Sequence, residues 1–314
     1  MAGVSLITGA TGFAGGHLLE RIVARGEGAR AWAHRGSPRS EAGRVADPLV
    51  QWDAVDLLDR AAVVDALRAA RPSVIYHCAG AADTHGAWRD PAFALRTNAL
   101  GTHNLLEAAR LLSLDCRVLV TGSALIYKPR ASAITEDDPV GAATPYGVSK
   151  LAQEMIAADA VLPTLLARPF NHAGPRQLPS YATSAFAKQI ADIESGSREP
   201  VLTVGNLDAQ RDITDVRDTV RAYEALAEFG VAGRPYNVCS GRTYSMRTLL
   251  DILLSFARVR VRTEVDPALL RPSDNPVILG NHDRLTRDTG WMPHIPIEQT
   301  LSDLLEYWRS QAPA

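Results

Sequence analysis

The chain has 314 residues, enough at roughly 100–200 residues per domain for two domains or for one core with a large second lobe. Hydrophobic residues make up 46% and charged residues 22%, which excludes a wholly disordered chain, a collagen and a disulfide scaffold. The formal net charge is −2, so no overall field would recruit nucleic acid or an acidic membrane.

In the first half of the chain, short apolar runs typical of strands alternate with stretches of helical spacing. The predicted strands cover residues 4–8, 29–33, 50–53, 73–78, 117–121 and 162–167. The predicted helices cover residues 14–25, 59–70, 91–112 and 146–161. Apolar strands alternating with helices indicate a parallel sheet covered on both faces. We therefore expect an α/β fold of the Rossmann type, with a doubly wound parallel sheet.

After Arg168 and Pro169 the rhythm changes, and a loop-rich segment leads into four further predicted helices at 182–195, 215–229, 245–256 and 297–308. Residues 236–238 resemble another core strand. The expected division is a Rossmann domain at 1–170, completed by about 212–240, and a smaller C-terminal α/β lobe at 171–211 and 241–314.

The three cysteines are Cys78, Cys116 and Cys239, and no CxxC pair occurs, so neither a disulfide framework nor a metal site is predicted. Cys78 and Cys116 lie in apolar runs and are expected to be small buried hydrophobes. No stretch of about 18 apolar residues is present, so no membrane span is expected. A reducing cytoplasm fits this composition best.

A glycine-rich turn, Gly9-Ala-Thr-Gly12-Phe-Ala-Gly15, stands between the first predicted strand and the first predicted helix. Glycines at this spacing let the backbone turn tightly and approach a pyrophosphate, which the helix N-terminus then faces with free N–H groups. The pattern therefore predicts dinucleotide binding. The residues expected to contact the cofactor here are Gly9, Thr11, Gly12, Phe13, Ala14 and Gly15.

The end of the second predicted strand is where such domains distinguish NAD from NADP. An acidic residue there accepts from the ribose 2′-hydroxyl of NAD, whereas an arginine suits the 2′-phosphate of NADP. This chain has Arg35 and lacks a carboxylate at that point, so NADP(H) is preferred and NAD(H) remains possible. Asp56 and Leu57, after the third strand, are expected either to meet the adenine or to form a simple turn.

Tyr146 and Lys150 open a predicted helix four residues apart, which puts them on one helix face. A neighbouring ammonium favours an ionised phenol, so Lys150 is expected to lower the pKa of Tyr146 and make it a usable acid or base. Lys150 is one of only three lysines, with Lys128 and Lys188, among 33 basic residues, which weakens a chance explanation. Ser123, at the end of a predicted strand, can supply a hydroxyl to the same reacting oxygen.

Together, the glycine turn, Ser123, the Tyr146-x-x-x-Lys150 pair and the downstream Arg168-Pro-Phe-Asn171 resemble the extended short-chain dehydrogenase/reductase family acting on nucleotide sugars. The resemblance covers essentially the whole chain. It implies that Tyr146 is the catalytic acid/base, that Lys150 also holds the nicotinamide ribose, and that Ser123 orients the sugar oxygen. It further implies a supporting role for Asn98, and cofactor contacts for Ala79 and Pro169.

Four segments of the second half, at 168–175, 186–190, 204–218 and 271–276, carry further motifs. They are similar to those of the GDP-mannose 4,6-dehydratase and GDP-4-keto-6-deoxymannose reductase branch. This resemblance implies a GDP-sugar pocket in which Asn171 and Lys188 lie along the nucleotide. It also implies that Arg211 and Arg271 pair with the diphosphate and that Asp274 accepts from a ribose hydroxyl. Members of the family commonly form homodimers by pairing two long helices of each subunit, here 91–112 and 146–161.

One departure from the branch affects the expected reaction. The dehydratases place a glutamate base two residues after the catalytic Ser/Thr, and this chain has Leu125 there, so 4,6-dehydration is disfavoured. Lys128 also stands where a glycine usually follows the tyrosine. The predicted function is NAD(P)H-dependent reduction of a GDP-4-keto-6-deoxyhexose, giving GDP-rhamnose or its C4 epimer. The alternatives are a nucleotide-sugar 4-epimerase with bound NAD and a non-catalytic cofactor-binding protein.

Overall fold

The computed structural model describes residues 4–34, 47–130, 132–270 and 275–312. The strands are β1 (Ser5–Thr8), β2 (Ala29–Ala33), β3 (Val50–Ala54), β4 (Val74–His77), β5 (Arg117–Thr121), β6 (Thr164–Pro169), β7 (Asn171–Ala173), β8 (Val201–Val204), β9 (Gln210–Asp215), β10 (Pro235–Val238), β11 (Thr243–Ser245), β12 (Arg262–Val265) and β13 (Val277–Ile278). The helices are α1 (Phe13–Ala24), α2 (Arg60–Ala70), α3 (Thr84–Arg89), α4 (Pro91–Leu95), α5 (Gly101–Leu111), α6 (Pro145–Ala158), α7 (Ala182–Glu194), α8 (Val216–Phe229), α9 (Met246–Ser255), α10 (Asp283–Thr289) and α11 (Ile297–Gln311).

Seven of the described strands form one parallel sheet in the order β10-β6-β5-β4-β1-β2-β3. Successive strand residues point to opposite faces, and both faces are buried: Leu6 lies in the cluster with α2 and α5, and Ile7 in the cluster with α1 and α8. Burial on both faces explains why these strands read as continuous apolar runs. The predicted Rossmann-type doubly wound sheet is confirmed. The strand expected at 236–238 is β10, which pairs with β6 at the sheet edge.

The other described strands lie outside this sheet. Among them β9 pairs with β7, β11 and β13, and β8 pairs with β12. Buried side chains of α7, α9 and α11 pack together against β8 and β9. Within the described ranges, no helix combines the length and the apolar character that crossing a bilayer requires.

The long helix predicted at 91–112 is interrupted, and that prediction is wrong in its middle. The segment Arg96–Leu100 is a π-helical turn between α4 and α5. At its centre Asn98 is completely buried and bonded to residues outside its own helix. A π turn inserts an extra residue into a helix and is frequent at functional sites. Here it carries Asn98 toward the loop after β4.

Candidate active site

The glycine turn joins β1 to α1 at the carboxyl edge of the sheet. Gly9 has φ +66°, and a side chain there would meet the Ala79 backbone at 2.7 Å. A Cβ on Gly15 would lie 2.3 Å from the Gly9 carbonyl oxygen, so α1 can approach the turn only with glycine at 15. Gly12 is the N-cap of α1 and supplies no side-chain cap, which leaves the first helical N–H groups free for an anion. The turn therefore fits a pyrophosphate, with Thr11, Phe13 and Ala14 beside it.

The residues expected around the adenosine lie partly within the described structure. Asp56 accepts a hydrogen bond from the Leu58 amide at 2.9 Å, so it does form a turn. Leu57 is buried, and its carbonyl oxygen accepts from Asn104 of α5 at 2.8 Å. Arg35 lies outside the described residues. The argument from Arg35 for NADP over NAD therefore comes from the sequence alone.

Ser123 and Tyr146 come together at the edge of the sheet where β5 ends. Ser123 follows β5, and Tyr146 lies in the first turn of α6, where Pro145 and the N-cap Thr144 start the helix. A Cβ on Gly147 would come within 2.6 Å of the Leu125 carbonyl oxygen, so glycine allows α6 to sit this close. Burial raises the pKa of Tyr146 above its ordinary value, and a hydrogen bond with Ser123 opposes that rise.

Lys150 lies one turn further along α6 and is almost fully buried. Its ammonium donates to the Thr121 carbonyl oxygen and to Gln153 Oε1, both at 2.9 Å. Burial lowers the pKa of Lys150 to about 8, and the nearby Cys78 opposes this shift.

The expectation that Lys150 lowers the pKa of Tyr146 is corrected by this environment. The phenol lies in apolar surroundings, and its desolvation outweighs the hydrogen bond with Ser123. Two donors of the ammonium are engaged by Thr121 and Gln153, on the sheet and on its own helix. Tyr146 is therefore held in its protonated form, which is the form that can give a proton.

Asn98 connects the loop after β4 to α6. Its side chain accepts from the Ala81 amide at 2.8 Å and donates to Ser149 Oγ at 2.8 Å. A Cβ on Gly80 would lie 2.6 Å from Asn98 Oδ1 and 3.4 Å from Lys150 Nζ, so this loop passes close to both groups. Ala79, at the start of the loop, is fixed by a bond from its amide to Thr8 Oγ1 at 3.2 Å. These contacts agree with a supporting role for Asn98.

An ion pair that the sequence reasoning missed fixes α6 to β6. Arg168 is buried and makes a bidentate contact with Glu154, at 2.9 and 2.6 Å, and its third nitrogen donates to the Tyr127 hydroxyl at 2.6 Å. Pro169 follows at the end of β6. Glu154 lies four residues beyond Lys150. This helical spacing, which puts the two residues on one face of α6, was the signal in the sequence that could have identified Glu154.

The predicted substrate residues are less convergent. Asn171 is exposed on β7, and Arg211 lies on β9, where it donates to the carbonyl oxygens of Gln210 and Pro276 at 2.7 and 3.3 Å. Lys188 pairs with Asp192 at 2.6 Å and lies over the Trp308 ring, so contact with a nucleotide would require it to leave these partners. Arg271 and Asp274 lie outside the described residues.

Comparison with known proteins identifies the family. A family model described as GDP-mannose 4,6 dehydratase matches residues 6–304. The chain is 35% identical over 312 residues to GDP-6-deoxy-D-mannose reductase of Pseudomonas aeruginosa, covering 97% of each, and 27% identical to a UDP-glucose 4-epimerase of Mycolicibacterium smegmatis, covering 98% and 99%. A solved structure of RMD from Pseudomonas aeruginosa complexed with NADPH superposes with a TM-score of 0.86 at 33% identity, covering 99% of this chain and all of that one. The chain therefore belongs to the GDP-mannose 4,6-dehydratase family of extended short-chain dehydrogenases/reductases, as its motifs indicate.

Proposed function

We propose that the protein is an NADPH-dependent reductase of a GDP-4-keto-6-deoxyhexose, which it converts to GDP-rhamnose or its C4 epimer. The observation that carries this proposal is the pairing of Ser123 with Tyr146 in a site that has Leu125 beside them. Leucine cannot remove a proton from the sugar, so the site has a proton donor and lacks the base that 4,6-dehydration needs. The reductase relative at 35% identity supports the same activity.

The roles of the side chains follow from this arrangement. Bound NADPH would supply a hydride for C4 of the sugar. Tyr146 gives its proton to the oxygen that develops on C4, while the Ser123 hydroxyl hydrogen-bonds that oxygen. Proton transfer from a positioned acid is typically worth about 10²–10⁴-fold in rate. Lys150 would hold the nicotinamide ribose through the one N–H donor that Thr121 and Gln153 leave unused.

The cofactor site is proposed to consist of the glycine turn with Arg35, Asp56, Leu57, Ala79, Pro169, Tyr146 and Lys150. NADPH is favoured over NADH because Arg35 suits a 2′-phosphate and because the similar solved structure is complexed with NADPH. Binding of both reduced cofactors, measured by fluorescence, tests this preference. Tighter binding of NADH than of NADPH would contradict it.

The guanine nucleotide is proposed to bind between the Rossmann domain, 1–170 completed by about 212–240, and the lobe at 171–211 and 241–314. Asn171, Lys188, Arg211, Arg271 and Asp274 are its proposed contacts. Support comes from the partly buried guanidinium of Arg211, whose pKa is lowered by desolvation and which a diphosphate would stabilise. A thermal-shift comparison of GDP, UDP, CDP and dTDP tests the choice of base.

We also propose a cytoplasmic homodimer formed through helices of the Rossmann domain. The large apolar side chains on α4, the π turn and α6 that are at least 45% exposed are Phe93, Leu100, Val148 and Met155. They lie on α4, the π turn and α6, the pair of helical segments that the family resemblance assigns to dimer formation. A monomer by light scattering would reject the dimer.

The test of the activity is NADPH oxidation with a GDP-4-keto-6-deoxyhexose as substrate. Failure to turn over any GDP-4-keto sugar, in protein that binds NADPH, would overturn the proposal. The epimerase relative gives the alternative a definite signature, because such an enzyme would recycle a bound NAD. Purification with tightly bound NAD, and activity that needs no added cofactor, would favour the epimerase.

A further inference from the structure

Gln153 is a buried polar residue that the proposed mechanism does not use. It lies on α6 one turn beyond Lys150, has no solvent exposure, and accepts a hydrogen bond from Lys150 Nζ at 2.9 Å. An ammonium has three N–H donors. Gln153 and the Thr121 carbonyl oxygen take two of them, which leaves one for a ligand.

The orientation of the Gln153 amide is fixed from its other end. Its Nε2 donates to Thr102 Oγ1 at 2.9 Å. A flipped amide would put its NH₂ group against the ammonium, so the oxygen must face Lys150. The side chain therefore presents a carbonyl dipole to the charge without adding a charge of its own.

Thr102 anchors this amide to the central sheet. The single hydroxyl proton of Thr102 goes to the Asn98 carbonyl oxygen at 2.7 Å, so its oxygen accepts from both Gln153 and His77 Nε2. His77 Nδ1 then accepts from Thr8 Oγ1 at 2.8 Å, one residue before the glycine turn. Burial, with Lys150 adding to it, lowers the pKa of His77 to about 3, so the imidazole is neutral.

We propose that Gln153 is a positioning residue for Lys150, holding the buried ammonium charged and aimed through a chain of neutral hydrogen bonds that ends at β1. The proposal deepens the proposed function and rests on it where catalysis is concerned. The titratable groups that interact with the ammonium are Cys78 and His77, both on the β4 side.

The three lysines of the chain make a direct test possible. Protein labelled with ¹³C-lysine gives three sets of side-chain signals, and Lys150→Arg identifies that of Lys150. In Gln153→Met the ammonium loses its acceptor, and we expect the measured pKa of Lys150 to fall by about 1, because hydrogen bonds to charged groups are the stronger ones. In Gln153→Glu, a carboxylate at the same reach should raise it.

The matched control is Gln189→Met. Gln189 also makes two hydrogen bonds through its amide, to the backbone of Thr203 at 3.1 and 2.9 Å, and these join α7 to β8. Its loss should leave the Lys150 titration unchanged. The signals of Lys128 and Lys188 in the same samples report any global change.

The alkaline limb of the pH–rate profile should move in the same directions as the lysine titration, which a merely structural role would not produce. An unchanged Lys150 titration in folded Gln153→Met would overturn the proposal. If that variant fails to fold, an unchanged titration in Gln153→Glu would do so. If even the wild type oxidises no NADPH, the proposed function fails, and the titration still decides the role of Gln153.

Discussion

Tyr146 and Lys150 are one helical turn apart on α6, yet their surroundings have opposite chemistry. Tyr146 packs with apolar side chains of α3, α4 and the turn after β5: Ala87, Ala94 and Leu125. Lys150 is bonded to a backbone carbonyl and to the amide of Gln153. Burial disfavours the charged form of both groups, so it raises the pKa of the phenol and lowers that of the ammonium to about 8.

The contrast shows how one helix can hold a neutral phenol and a charged ammonium one turn apart. An apolar pocket keeps the phenol protonated, as a proton donor must be. A polar pocket keeps the ammonium charged at neutral pH although it is buried, because hydrogen bonds replace water. Each of the following changes alters one of these two pockets, or the ion pair of Glu154 and Arg168 that fixes α6, the helix carrying both residues.

Removing the phenol hydroxyl should have the largest effect. Tyr146→Phe leaves the apolar pocket filled but takes away the proton donor. We expect the rate of keto-sugar reduction to fall by about 10²–10⁴-fold, with NADPH affinity retained. Steady-state rates and a fluorescence titration of NADPH measure the two quantities. A variant as active as the wild type would show that Tyr146 has no catalytic role.

Breaking the ion pair that fixes α6 to β6 should have the second largest effect. Glu154→Gln leaves the buried Arg168 without its anionic partner, and breaking a buried pair on one side typically costs about 3–5 kcal/mol of unfolding free energy. Urea denaturation measures this loss. The control is Glu107→Gln, which breaks the exposed pair with Arg110 and should change stability much less. Equal effects of the two substitutions would mean that the Arg168 pair does not anchor the helix.

A charge introduced into the apolar pocket should have a smaller effect. In Leu125→Glu, a carboxylate would oppose the phenolate that Tyr146 becomes, and we expect the turnover rate to fall on the order of tenfold. Leu125→Met conserves volume and polarity and should stay close to the wild type. If the Glu variant is fully active and the Met variant is not, the pocket acts through shape and not through its low polarity.

The polar pocket should be visible in the pH dependence. The pKa of Lys150 is lowered to about 8, so the ammonium is charged below that pH and loses its proton as the pH rises through it. The rate of reduction should therefore decline on the alkaline side near pH 8, to about half at the pKa itself. A rate that stays constant to pH 10 would contradict a role for the charged lysine.

Much of this arrangement could be predicted from the sequence because local patterns encode it. Three local patterns each have a spacing that only certain structures satisfy: the apolar strands, the glycine turn, and the i, i+4 pair of Tyr146 and Lys150. The dinucleotide fold, and the placement of the proposed catalytic pair on one helix, followed from these. The likeness to a reductase at 35% identity agrees with what Leu125 indicated about the reaction.

Features set by tertiary contacts could not be predicted. The π turn at 96–100 exists because Asn98 bonds to Ala81 and Ser149, and no periodicity in the segment reports those bonds. In the sequence, nothing distinguishes Gln153 from other polar residues of a helix, because its hydrogen bond to Thr102 joins residues far apart in the chain. The spacing of Tyr146 and Lys150 gave their proximity, but the sign of the phenol's pKa shift depends on desolvation, which the spacing does not contain.

The measurement that tests the account most directly is NADPH oxidation by the wild-type protein with GDP-4-keto-6-deoxymannose, followed together with the sugar product. We predict that one NADPH is consumed for each keto sugar reduced at C4, and that Tyr146→Phe nearly abolishes this consumption. An absence of NADPH oxidation with this and other GDP-4-keto sugars, in protein shown to bind NADPH, would contradict the account.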